Sequence, residues 1–324
     1  MADTLDEQLT KYLTDAHSIE TQALAQMRTA PDIAGDPALA QAFKRHLEET
    51  EEHERLVSER LSARGGSPSA VKEAVMGLGG KGFILFARSQ PDTPGKLVAH
   101  AYSYEHLELA SYELLIRVAE RAGDEETAAM GRRIRAQEEA MGERLEGMFD
   151  TAVDASLREK GADDLDAQLL KYLADAHAIE AQAEQLLKRG RKMAGDERLA
   201  QLYAEHLDET LGQQMRLEER LEAHGGSPSA LKDAAMRIGA LNWGAFFQAQ
   251  PDTPAKLCAF AYAFEHLEIG GQEQLLRVAR RAGADETVRV VEGIIAEERA
   301  MAARLAASFD VAVEASLAAV GVTA

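Results

Sequence analysis

Apolar side chains return every three or four residues over long stretches of this chain, and short breaks rich in Gly, Pro and Asp separate those stretches. The first stretch carries one apolar stripe made of Leu5, Leu9, Tyr12, Leu13, Ala16, Ile19, Ala23 and Met27. Such spacing places the side chains on one face of an α-helix. We therefore predict a first helix from about Thr4 to about Arg28, ended by Pro31 and Gly35.

A capping sequence marks the start of a second long helix. Asp36 is a typical N-cap residue, and Pro37 suits the first helical position because proline has no N–H to leave unpaired. The helix that begins there has its own apolar stripe and ends at the glycine pair Gly65–Gly66, since glycine readily adopts the left-handed conformation found at helix ends.

Two more long helices follow an interrupted stretch, Ser67–Gln90, which contains several glycines and predicts two short helices. Thr93 begins a third long helix that runs to Gly123, and Asp124 begins a fourth that runs to about Leu157. The connection between the second and third helices is long enough to cross a bundle, so these two helices can run parallel. One long crossover of this kind is the topology of ferritin-like bundles.

The whole pattern occurs twice. Asp15–Glu20 recurs 160 residues later as Asp175–Glu180, and Glu105–Glu108 recurs at the same offset as Glu265–Glu268. This period is much longer than the 20 to 50 residues, roughly, of solenoid repeats. We therefore expect an all-α protein of two domains, residues 1–160 and 161–324, each a ferritin-like four-helix bundle with a long crossover between helices two and three.

Composition narrows the possible partners. The 324 residues include 55 acidic and 36 basic side chains, for a net charge of −19, which argues against binding to nucleic acid or to an anionic membrane. The single cysteine, Cys258, excludes an intrachain disulfide framework. The sequence has no run of about 18 apolar residues, and its beginning does not resemble a secretion signal. We expect a soluble cytoplasmic protein.

All four helices of the first module carry polar residues on faces that should be apolar. The set consists of Glu20, His46, Glu49, Glu105, Glu108 and Glu138. Carboxylates without partners are too costly to bury, so several that converge with histidine in a bundle core need a cation. Oxygen and imidazole ligands suit iron or manganese, and bridging glutamates can hold two divalent ions. We expect iron, two ions per module, with manganese as the alternative metal.

The second copy retains the whole set, as Glu180, His206, Glu209, Glu265, Glu268 and Glu298. Neighbouring polar residues differ between the copies. His53, for example, becomes Gln213, which makes His53 a poor ligand candidate. His17, one turn before Glu20, is either a ligand or a hydrogen-bond partner of one. A glutamate on a helix usually faces water, so a set of solvated surface carboxylates is the competing interpretation.

Several strings in the chain carry a family resemblance. They are Asp15–Gln22, His46–Thr50 (HLEET), Glu105–Glu108 (EHLE) and Glu138–Glu139, with His206–Thr210 (HLDET) and Glu265–Glu268 (EHLE) in the second copy. Together they resemble the YciE/YciF-like (DUF892) family of bacterial ferritin-like proteins, and the similarity covers both modules nearly end to end. The resemblance implies a four-helix ferritin-like fold, a link to bacterial stress responses, and metal ligands at Glu20, Glu49, Glu105, Glu108 and Glu138, with His46 as a further candidate.

Two positions depart from the pattern of better-known di-iron bundles, which carry Glu-x-x-His on two helices. The second helix reads His46-x-x-Glu49, in the reverse order, and the fourth has Met141 three residues after Glu138.

Two functions fit these observations. The first is a dinuclear metal carboxylate protein with ferroxidase activity, or redox chemistry on oxygen or peroxide, in a stress response. The second is a non-enzymatic helical interaction module with structural or vestigial metal sites. The expected partners are metal ions and oxygen or peroxide. We expect either a homodimer or a monomer whose two modules pair within the chain.

Overall fold

A computed structural model describes residues 4–68, 93–160, 164–228 and 252–322. Within these residues all regular structure is helical, and the chain divides into two compact units, Met1–Gly161 together with Gly321–Ala324, and Ala162–Val320. The predicted all-α fold with two similar helical halves is confirmed. The short helices predicted within Ser67–Gln90 lie almost entirely outside the described residues.

The helices of the first unit among these residues are α1 Leu5–Met27, α2 Ala30–Ile33, α3 Pro37–Ala63, α4 Thr93–Arg121, α5 Glu125–Glu146 and α6 Phe149–Lys160. Those of the second unit are α7 Leu165–Met193, α8 Glu197–Ala223, α9 Thr253–Arg281, α10 Asp285–Ala306 and α11 Phe309–Ala319. In the first unit α1 packs against α3 and α4, and α4 packs against α5; the second unit repeats these contacts.

The predicted caps form. The Asp36 carboxylate accepts a hydrogen bond of 2.8 Å from the N–H of Ala38, and Asp124 accepts one of 3.0 Å from the N–H of Thr127. At the end of α3 the N–H of Gly66 donates to the carbonyl of Leu61 at 3.0 Å. Each cap satisfies a backbone group that a helix end leaves without an intrahelical partner.

Arginines at the end of α3 fix the relative direction of the helices. Arg60 and Arg64 both form ion pairs with Asp124, which lies between the end of α4 and the start of α5. Arg64 also pairs with Asp6, at the start of α1. Because α3 and α4 end at the same end of the bundle, they run parallel, whereas α1 and α5 run antiparallel to them. This is the arrangement that the long middle connection predicts.

The fourth predicted helix is two helices in each unit. At the break between α5 and α6 the N–H of Met148 bonds the carbonyl of Leu145 at 2.9 Å, a tighter turn than the α-helix makes. Phe149 then packs edge-on against Tyr102 of α4, with ring centroids 5.4 Å apart. The tight turn thus lets α6 pack along α4 instead of continuing the line of α5.

Pro31 explains a difference between the two units. In the first unit α1 ends at Met27, and Pro31 lies in the first turn of the short helix α2. Arg191 occupies the equivalent position in the second unit, and α7 continues without a break to Met193. Proline inside a helix removes a hydrogen bond and clashes with the preceding turn, so only the first unit has the break.

The apolar core of the first bundle lies on both sides of a polar layer. Leu13 precedes Glu20 along α1 and Met27 follows it, and both apolar side chains are buried. On α3, buried Phe43 and Val57 enclose the polar positions in the same way. None of the helices within the described residues has both the length and the apolar character needed to cross a membrane.

We predict that Gly35→Ala destabilises the protein more than Gly123→Ala. Gly35 and Gly123 have positive φ angles of 66° and 69°. In this left-handed conformation a side chain costs about 1–2 kcal/mol. A Cβ on Gly35 would also lie 2.6 Å from Cγ of Pro94, whereas a Cβ on Gly123 would meet nothing within 4 Å. Urea unfolding of both variants measures the difference, and equal losses of stability would contradict the close packing at Gly35.

Candidate metal centre

Four helices of the first unit place charged side chains in one buried layer. Its members are Glu20 on α1, His46 and His53 on α3, Glu105 and Glu108 on α4, and Glu138 on α5. None is more than 1% exposed to solvent. The pairs on α3 and α4 are seven and three residues apart, spacings that return side chains to the same face of a helix.

His46 lies between an outer and an inner carboxylate. Its Nδ1 is 3.1 Å from Oε2 of Glu49, at the edge of the bundle, where the Glu49 side chain is 34% exposed. Its Nε2 is 3.1 Å from Oε2 of Glu105 and 3.5 Å from Oε2 of Glu138. With the Nδ1 hydrogen donated to Glu49, the Nε2 lone pair can bind a cation, which is the usual arrangement of metal-binding histidines.

His53 is oriented in the same way. Its Nε2 is 3.1 Å from the side-chain oxygen of Gln137, an acceptor, so this nitrogen carries the hydrogen and donates it. Its Nδ1 is 2.7 Å from Oε1 of Glu138 and 4.0 Å from Oε2 of Glu20. The second imidazole therefore also places its inner nitrogen beside two buried carboxylates, where it can donate a hydrogen when the ring is protonated or bind a cation when the ring is neutral.

Glu138 joins two groups of possible ligands. One group is His46, Glu105, Glu108 and Glu138, and the other is Glu20, His53 and Glu138; in each, the ligand atoms lie within 4.8 Å of one another. Glu138 directs Oε2 toward the first histidine and Oε1 toward the second. A carboxylate in that position can bridge two cations, as glutamates do in dinuclear bundle proteins.

The buried carboxylates have few other partners. Among the described residues neither oxygen of Glu108 has a hydrogen-bond partner, and Oε1 of Glu105 has none. Tyr112 donates its hydroxyl hydrogen to Oε1 of Glu20, which satisfies one oxygen of that residue. Buried anionic oxygens without donors are costly, and a cation is the partner that this set of oxygens and nitrogens fits.

Burial and mutual repulsion change the proton affinity of the cluster. Burial, with the nearby charge of Glu138, raises the pKa of Glu20 to about 8. Burial also raises the pKa of Glu138 to about 7, although the hydrogen bond from His53 opposes that rise. Burial alone would lower the pKa of His46, but the Glu105 carboxylate raises it well above its usual value. Without metal, protons supply part of the positive charge that the carboxylates need.

The second unit repeats the first group of ligands. His206, Glu265, Glu268 and Glu298 lie with their ligand atoms within 4.8 Å of one another, and all are buried. The Nδ1 of His206 is 3.0 Å from Oε2 of Glu209, and its Nε2 is 3.0 Å from Oε2 of Glu265. Glu180 is fully buried on α7, the helix that corresponds to α1.

The structure therefore brings most of the predicted ligands together, but Glu49 and Glu209 lie outside the groups, and Glu180, although buried, does not belong to the group of His206. Glu49 and Glu209 lie beside the outer nitrogen of their histidine, and the Glu209 side chain is 41% exposed. A carboxylate in this position can accept the outer hydrogen and so fix the tautomer of His46 and His206. His17 also lies outside, with its Nε2 3.0 Å from Oε1 of Glu54.

His53 is the residue that sequence reasoning rejected and the structure places in the cluster. Its replacement by Gln213 in the second copy argued against it, on the assumption that both modules have the same site. The signal that could have found it is its distance of seven residues from His46, which is almost two full helical turns.

The fold and the cluster define a class: two helical bundles, each with a buried group of glutamates and histidine able to bind metal. A family model described as "Domain of unknown function (DUF892)" matches the chain twice, over residues 4–158 and 164–318. The chain belongs to this family as a tandem duplication, which confirms the expected resemblance. No solved structure matches the chain.

The raised carboxyl pKa values predict the pH dependence of the metal-free protein. A carboxyl with a raised pKa binds its proton more tightly in the folded state, so its contribution to stability is complete below about pH 4.5 and is lost as the pH rises through the folded-state value. For Glu20 and Glu138 these values are about 8 and 7. Between pH 5.5 and 8 the melting temperature should fall in the presence of a chelator, and Glu20→Gln should reduce that fall. A flat profile would contradict the burial of these charges.

Proposed function

We propose that this protein binds divalent metal ions, iron or manganese, in its buried glutamate and histidine clusters and uses them in redox chemistry on oxygen or peroxide. The observation that carries the proposal is the position of Glu138, which directs one oxygen toward the first histidine and the other toward the second. A buried carboxylate that faces a possible metal ligand on each side is the arrangement expected of a bridge between two metal ions.

The ligand types favour iron or manganese. The first cluster consists of four carboxylates and two imidazoles, a set that suits these metals better than softer ones that prefer sulfur. Cys258 does not belong to the clusters, because it is buried with its Sγ 3.7 Å from the carbonyl of Leu305. Four carboxylates also match the charge of two divalent ions.

A pair of ferrous ions would supply two electrons, one from each ion, which with two protons reduce O2 to hydrogen peroxide, or hydrogen peroxide to two molecules of water. Side chains around the cluster would orient the ligands and exclude water for this reaction. Glu49 and Gln137 hold the two histidines with their lone pairs inward. The apolar layers on both sides exclude bulk water, which strengthens every charge interaction inside. Tyr112 keeps Glu20 in place through its hydrogen bond.

A non-enzymatic role is the second candidate. The cluster of His206 in the second unit has ligands for one cation, and a single buried cation can serve only to neutralise the carboxylates around it. In that case the metal would stabilise the bundle, by roughly 2.7 kcal/mol when free metal is at 100 times its dissociation constant.

Measurement of metal content and of ferrous ion oxidation separates the two functions. The purified apoprotein should take up Fe²⁺ anaerobically and, on addition of oxygen or hydrogen peroxide, should oxidise it faster than buffer alone. Metal uptake without faster oxidation would favour the structural role. Failure to take up iron or manganese would contradict the proposal itself.

Two substitutions should weaken metal binding to different extents, and a third should leave it unchanged. Glu108→Gln removes a charged group of the cluster and should abolish binding of at least one ion in the first unit. Glu49→Ala removes the hydrogen-bond acceptor of His46 and should weaken binding by about 10 to 100-fold. Glu48→Ala, at an exposed position on the same helix, is the matched control and should bind like the wild type. Titration with Mn²⁺ gives the affinities. Equal affinity in all three variants would place the ion elsewhere.

A further inference from the structure

We propose that the two halves of the chain bind different numbers of ions: two in the first unit and one in the second, so that the full chain holds three. This inference rests on the proposed function and departs from the expectation of two ions in every module. It follows from a comparison of equivalent positions, which the 160-residue repeat makes direct.

The first group of ligands is the same in both units. His46, Glu105, Glu108 and Glu138 correspond to His206, Glu265, Glu268 and Glu298, and the outer partner of the histidine is a glutamate in each. The distances agree as well: the histidine Nε2 is 3.1 Å from Glu105 in the first unit and 3.0 Å from Glu265 in the second. One equivalent cation position is therefore present in each unit.

The second group of ligands is complete in the first unit and broken in the second. Gln213 replaces His53, and its side-chain nitrogen donates hydrogen bonds to Oε1 of Glu298 and, at 3.1 Å, to Oε2 of Glu297. An amide nitrogen has no lone pair free for a metal. Glu298 is the counterpart of Glu138, and the oxygen that faces the second imidazole in the first unit faces an N–H donor here. Within the described residues, only one group of ligands forms in the second unit.

A surface ion pair supports this orientation of the amide. Arg216 forms an ion pair with Glu297, and Glu297 in turn accepts the hydrogen bond from Gln213. In the first unit Gln137 stands at the position of Glu297 and accepts the hydrogen of the His53 Nε2, which leaves Nδ1 available. The outer residue is thus a hydrogen-bond acceptor in both units: Gln137 accepts from His53 in the first unit. Glu297 accepts from Gln213 in the second.

The equivalent glutamates near the second position, Glu20 and Glu180, also have different hydrogen-bond donors. Tyr112 donates to Glu20 in the first unit, whereas Gln272 donates to Glu180 at 3.1 Å in the second. Among the ligands and the partners named here, the differences between the units thus lie around the second cation position, while the four ligands of the first position and the outer glutamate are the same.

The test is the number of Mn²⁺ ions bound per full-length chain, measured by elemental analysis after loosely bound metal is removed. We expect three ions in the wild type, two in His53→Gln and four in Gln213→His. Electron paramagnetic resonance gives an independent reading, because a lone Mn²⁺ has a six-line spectrum that two ions bridged by a carboxylate lose through exchange coupling. His53→Gln should therefore increase the six-line signal, and Gln213→His should reduce it.

Each outcome has a defined meaning. Four ions in the wild type, the same count in the wild type and His53→Gln, or three ions in Gln213→His would overturn the inference while leaving the proposed function intact. Absence of bound ions in the wild type would overturn both. Circular dichroism checks that the variants fold, and glutamine at position 53 reproduces the residue that the second unit already accommodates at 213.

Discussion

Four carboxylates buried in one layer of a helical bundle are the constraint on which the rest of this structure depends. In the first unit Glu20, Glu105, Glu108 and Glu138 are at most 1% exposed, and they meet where a bundle would otherwise have apolar side chains. Such charges repel one another and lose their hydration, so the fold requires compensating positive charge. Histidines, protons and, in our account, metal ions supply it, and the apolar layers on both sides hold the helices together around it.

The hydrogen bonds made by the outer histidine nitrogens determine whether a metal ion can compensate the charge of the carboxylates. A neutral histidine that gives its outer hydrogen to a carboxylate or an amide oxygen has its inner nitrogen free, and both imidazoles of the first unit have such an outer acceptor. Histidine with its inner nitrogen protonated would satisfy the carboxylates but would exclude a metal. Because metal ligands must be deprotonated, the raised pKa values of Glu20 and Glu138 mean that a metal ion would have to displace protons from this cluster.

Local signals were sufficient to predict the long helices, but they predicted neither the break in the fourth helix nor which polar residues meet. Asp36 and Asp124 cap their helices as their sequence contexts predict, because a cap depends on residues only a few positions away. The break after α5 has no such signal, since Ala307 and Ser308 form the same turn in the second unit without glycine or proline. That turn depends on packing against another helix, as the contact between Phe149 and Tyr102 shows.

The sequence predicted Glu49 as a ligand and His53 as a poor candidate, whereas the structure places His53 in the cluster and Glu49 at its edge. Helix geometry explains the difference. Residues three apart on a helix differ in direction by about 60°, whereas residues seven apart differ by only about 20°. From the direction of His46, Glu49 is therefore turned to the bundle edge and His53 is turned inward. Sequence spacing alone leaves both readings open until the neighbouring helices fix which direction is inward.

Anomalous diffraction at the iron and manganese absorption edges, from crystals of the metal-loaded protein, tests the central claim most directly. The account predicts strong peaks inside both bundles: two on either side of Glu138 in the first unit and one beside His206 in the second. Peaks only at exposed acidic side chains, with none within bonding distance of Glu138 or Glu298, would contradict it.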